Sequence, residues 1–177
     1  ISKPTTHISS TWLHPEDRHG AEFMSTRYWA GVARTLERGC FDAMFFADTF
    51  AVDEKSAQQH LGFGSAPKID PWALVPAMAD ATEHLGFGVT LSTAALPPYL
   101  AVRKVGTYDN LTRGRVAWNV VTSLNDSEAA NFGRDEHLEH DLRYDRADEF
   151  MEVVMGHWDS WEDDAMVLDK ASGRFAD

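Results

Sequence analysis

Apolar and polar positions along the chain follow two periods in turn. From Arg27 to Arg38 the apolar residues Trp29, Val32, Ala33 and Leu36 share one helical face, and Gly39 is placed to end the helix. The next run, FDAMFFAD (41–48), is almost continuously apolar, which predicts a strand buried on both faces of a parallel sheet and closed by Asp48. Asp70 and Pro71 make a cap-plus-first-turn helix start, with the helix continuing through about His84 to Gly86. A strand is predicted over 87–93 (FGVTLST). Pro97 and Pro98 open a third helix through Leu111, and Gly114 separates it from a strand over 115–123 (RVAWNVVTS). The last long helix is predicted from Asp141 to Trp161, with Tyr144, Ala147, Met151, Val154 and Trp158 as its stripe.

This alternation is the pattern of a parallel α/β sheet, either open and doubly wound or closed into a (β/α)8 TIM barrel. No glycine-rich phosphate loop follows a strand, and the strands end in polar residues: Asp48, then Ser92 and Thr93, then Asn119, Thr122 and Ser123. Both features favour the barrel, in which such residues converge on one mouth. Taken singly, each is as readily explained by a strand reaching the surface. Thr90 and Ser92 are two apart on one strand and so share a face, expected to be the barrel interior.

With 44% hydrophobic and 25% charged residues, a chain of 177 can bury a real core, and it is expected to form a single domain. A formal net charge of −12 argues against nucleic acid and anionic membranes as partners. One cysteine, Cys40, allows no internal disulfide and fits a reducing, cytoplasmic setting. No apolar run approaches the roughly 20 residues of a membrane span, and the opening ISKPTTHISS lacks signal-peptide character. The histidines show no metal-ligand spacing, and Glu162, Asp163 and Asp164 read as a solvated turn, so no metal is assigned.

The blocks GRVAWNVVTS (114–123), NFG (131–133), EHDLRYDRADEF (139–150) and WDSW (158–161) resemble one family. So do the upstream ARTLERGCFDAMFFAD (33–48), ATEHLGFG (81–88) and PPY (97–99). The similarity is to the nitrilotriacetate, alkane, pristinamycin and dibenzothiophene-sulfone monooxygenase group of the bacterial luciferase-like superfamily. VVTSLNDSEAANFG (120–133) and the tail 163–177 look most similar to the dibenzothiophene-sulfone branch. The resemblance implies that residues 1–177 form the N-terminal half of a (β/α)8 barrel, without its first strand and its C-terminal half. It also implies a two-component monooxygenase: a separate NAD(P)H-dependent reductase supplies reduced FMN, and one oxygen atom of O2 enters a small organic substrate, an aromatic sulfone or other organosulfur compound. The alternative is a non-catalytic flavin-binding protein of the same superfamily.

The resemblance further implies site residues. His140 and Tyr144 are carried over as contacts to the FMN phosphate region; their spacing puts both on one side of a helix start, where free N–H groups favour an anion. Asp48, Thr90, Ser92 and Asn119 are expected around the flavin. His7, Phe46, Phe50 and Leu124, with Ala95, are expected to line an apolar substrate pocket. No catalytic base can be assigned. A homo-dimer or tetramer is expected, partly because the helix bearing Trp72, Leu74 and Met78 carries more apolar residues than one face can bury.

Overall fold

The computed structural model describes residues 11–17, 20, 22–51, 68–123 and 126–177. Within them, three parallel strands lie side by side in the order β1 (Ala43–Phe46), β2 (Gly86–Ser92) and β3 (Val116–Val121). Helices α1 (Thr26–Arg38), α2 (Pro71–Asp80) and α3 (Pro98–Thr112) precede the strands in turn. The short α4 (Asp126–Asn131) and the long α5 (His140–Trp158) follow β3.

Local chemistry starts and stops the helices. Ser25 caps α1 by accepting the Tyr28 N–H, and Asp70 caps α2 by accepting the Trp72 N–H at 2.9 Å, ahead of Pro71 in the first turn. The second helix is shorter than its sequence predicts. One Glu37 oxygen accepts the backbone N–H groups of Glu83 (2.9 Å), His84 (2.6 Å) and Leu85 (3.1 Å), holding these residues in a turn instead of a helix. The same bonds, that from His84 foremost, hold the Glu37 carboxyl below its ordinary pKa. Arg115 completes the junction, donating to the carbonyls of Ala79, Leu85 and Thr112.

The core lies on one face of the sheet. Phe46, Phe87, Val89 and Leu91 point into it, against Trp29 of α1, Trp72, Val75 and Met78 of α2, Val105 of α3 and Val154 of α5. Trp72 Nε1 ties its helix to the sheet by donating to the Thr90 carbonyl at 3.0 Å, and Trp118 Nε1 of β3 donates within the sheet to the Leu91 carbonyl of β2 at 2.9 Å. On α5 the buried residues are Ala147, Phe150 and Val154, so the stripe predicted from sequence shifts: Phe150 joins it, while Tyr144 stands outside it, 52% exposed.

The opposite face carries Ala43, Phe45, Gly88, Thr90, Ala117 and Asn119, as the strand register requires. Ala43 and Phe45 are exposed there, so β1 is not buried on both faces among the described residues. Phe45 lies across Gly88, where an added Cβ would come within 3.1 Å of its ring. A further correction concerns self-association. Trp72, Leu74 and Met78 are all buried within this chain, between the sheet and the neighbouring helices, and so provide no surplus apolar surface for a partner.

Candidate functional site

The polar ends of the three strands are wired to one another. Thr90, buried near the end of β2, donates its hydroxyl proton to the Phe46 carbonyl of β1 at 2.7 Å and accepts the Asn119 side-chain amide of β3 at 3.0 Å. Two residues further on, the Ser123 hydroxyl donates to Ser92 Oγ at 2.7 Å, and Ser92 Oγ also accepts the Ala94 N–H. Both pairs lie at the carboxyl end of the sheet, on the face turned away from the helices.

Helix α5 begins at this same end. Arg143, in its first turns, donates from Nη1 to the Ser123 carbonyl at 2.6 Å, and Ser123 adopts a left-handed φ of 64° that presents the carbonyl to it. Glu139 precedes the helix without any side-chain cap bond, so the first backbone N–H groups are not taken up by a cap. The His140 and Tyr144 rings sit 4.9 Å apart, side by side. His140 Nδ1 is 2.8 Å from Asp141 Oδ1, both side chains being well exposed. Arg143 Nε is buried and has no hydrogen-bond partner among the described residues. An uncapped helix start, an imidazole, a phenol and a guanidinium with an orphaned N–H form a donor set suited to a phosphate. An arriving anion would have to draw His140 away from Asp141.

Asp48 follows β1 and is partly buried. Its carboxylate accepts the Thr49 N–H at 2.9 Å, and burial raises its pKa from 3.8 to about 6, against the opposing effects of that bond and of Lys68. Lys68 is itself held by the oxygens of Thr49 and by the Ala51 carbonyl at 3.1 Å.

Phe46 is corrected. It is fully buried in the helix-facing core, with its ring 6.1 Å from that of Trp29, and only its carbonyl reaches the strand ends. The alternation of a strand gives adjacent residues opposite faces, so in FDAMFFAD the aromatic on the face turned away from the helices is Phe45. Phe50 is half-buried beyond Asp48, and Ala95 occupies the turn after β2. His7 and Leu124 lie outside the described residues. Arg143 and Glu128 were not singled out from sequence, whereas Ser123 was noted there only as one of the polar residues at a strand end; Arg143 lies between His140 and Tyr144 in the chain.

Among the described residues, no three His, Cys, Asp or Glu side chains are grouped to hold a metal ion, and no helix is long and apolar enough to cross a membrane. Concavities occur on the helical surface, one of about 930 Å³ along Ser25, Tyr28, Val32 and Leu36 of the α1 region. These lack the polar convergence of the strand ends.

The luciferase-like monooxygenase family model matches residues 5–176. The chain belongs to that family. It is 50% identical over 177 residues to the dibenzothiophene-sulfone monooxygenase of Rhodococcus erythropolis, a match covering 97% of this chain and 39% of the relative. It is 46% identical over 174 residues to the dimethyl-sulfide monooxygenase of Hyphomicrobium sulfonivorans, covering 96% of this chain and 36% of the relative. Among solved structures, a riboflavin lyase with modified FMN and its substrate riboflavin superposes with a TM-score of 0.85 at 33% identity, covering 99% of this chain and 40% of that one. The chain thus spans about two fifths of the length of the curated relatives it matches.

Proposed function

We propose that this chain is the amino-terminal half of a (β/α)8-barrel monooxygenase that receives reduced FMN from a separate NAD(P)H-dependent reductase. It then places one atom of O2 into a small organic substrate, with an aromatic sulfone or related organosulfur compound first in preference. The observation that carries this reading is the Arg143–Ser123 tether, which brings an anion-accepting helix start and the polar strand ends to the same side of the sheet. Family membership and the organosulfur substrates named for two relatives support it.

Reduced FMN, when bound, supplies the activation of O2. The protein's own residues bind, orient and exclude water. His140, Tyr144 and Arg143 hold the phosphate at the start of α5. Asn119, fixed by its bond to Thr90, offers its amide to the polar edge of the flavin, and Ser92 and Asp48 flank it. Phe50, Ala95 and Leu124 give the substrate side an apolar character that favours a fused aromatic sulfone over a polycarboxylate, because a polyanion would lose hydration there without recovering it. Self-association as a dimer or tetramer follows from the family resemblance alone.

The test uses the full-length protein with a flavin reductase. Substrate-dependent oxygen uptake above the uncoupled peroxide background is expected, faster with an aromatic sulfone than with nitrilotriacetate. Binding of reduced FMN with no substrate-dependent uptake would instead favour a flavin-binding protein without turnover.

A further inference from the structure

Helix α4 is only six residues long, yet it carries Glu128, the one charged residue buried to the level of the core among the described residues, at 3% exposure. A carboxylate so placed needs hydrogen-bond donors. Glu128 Oε1 accepts the backbone N–H of Phe50 at 2.8 Å, 78 residues away in sequence. One turn on, Asn131 Nδ2 donates to the Phe50 carbonyl at 2.7 Å. Both polar backbone groups of Phe50 are therefore taken by side chains of α4, and the Phe50 ring packs edge-on against Phe132, with centroids 5.4 Å apart.

Phe50 follows β1 and α4 follows β3, while β2 lies between those strands. The clamp thus ties the two outer strand ends together beside the end of the middle one, where Ser92 and Ser123 are paired. Phe50 is also two residues from Asp48. A bond that fixes the Phe50 backbone fixes the direction of its ring and restrains the Asp48 loop.

We infer that Glu128 is a positioning residue that sets the wall of the substrate pocket by clamping Phe50, and so governs which organic substrate fits. This deepens the monooxygenase reading and rests on it. Glutamine keeps an acceptor oxygen at the same reach, whereas alanine removes it and leaves the Phe50 N–H to water.

The experiment compares full-length E128A, E128Q and N131A with the wild type. In E128A, KM for the organic substrate should rise about tenfold, the scale of one lost charge-assisted bond, while affinity for reduced FMN changes less than about twofold. E128Q should recover most of the loss. Backbone amide exchange at Phe50, measured without flavin, should accelerate in E128A and not in E128Q. If E128A does not fold, N131A breaks the other half of the clamp and should show the same split between KM and flavin affinity. Unchanged Phe50 exchange in E128A, substrate and flavin affinities falling together, or an E128Q no better than E128A would each overturn the inference. A wild type that oxidises no organic substrate would sink the monooxygenase reading itself, and Phe50 exchange would still decide whether the clamp exists.

Discussion

Asn119 donates a side-chain N–H to Thr90 Oγ1 across the β2–β3 pair at 3.0 Å, and the Thr90 hydroxyl in turn donates to the Phe46 carbonyl at 2.7 Å. This short chain joins all three strands and orients the Asn119 amide. Thr90→Val preserves shape but removes the link, leaving Asn119 and the Phe46 carbonyl each short of a partner. Stability should fall by about 1–2 kcal/mol, read from urea unfolding, and affinity for reduced FMN should fall with it. An unchanged unfolding midpoint would show that the chain does not hold the strands.

Tyr144 is exposed beside His140, outside the buried stripe of α5. Tyr144→Phe should therefore leave thermal stability unchanged while weakening FMN binding by about 0.5–1.5 kcal/mol, the value of one neutral hydrogen bond. Titration giving wild-type affinity would remove Tyr144 from the cofactor site.

Burial raises Asp48 from 3.8 to about 6, so the folded chain holds this proton more tightly than the unfolded chain does. The favourable contribution is fully present below about pH 4 and is lost as pH rises through about 6. Asp48→Asn should flatten that part of the stability profile and stabilise the protein above pH 6. Melting curves collected across this window, compared between wild type and variant, provide the check; superimposable profiles would contradict it.

Elements with strong punctuation were legible in the sequence. Asp70–Pro71 and Pro97–Pro98 mark helix starts that the structure places at Pro71 and Pro98, and the pairing of His140 with Tyr144 follows from their spacing of four. What failed depended on contacts distant in sequence. The end of α2 is set by Glu37, more than 40 residues upstream of the turn it binds. Phe46 and Phe45 cannot be assigned to faces from an unbroken apolar run, because only the packing of Trp29 decides which one is inside. Helix α4 is too short for any apolar period, and the bond from Glu128 to Phe50 spans 78 residues of sequence.

The most direct test of the central claim is isotopic. Full-length protein, flavin reductase, FMN and NAD(P)H are supplied with ¹⁸O₂ and an aromatic sulfone, and the product is analysed by mass spectrometry. The account predicts one labelled oxygen atom per product molecule, formed only when reduced FMN is present, with peroxide yield falling as the substrate is added. Unlabelled product, or reduced flavin that reoxidises to the same peroxide yield with and without substrate, would contradict it.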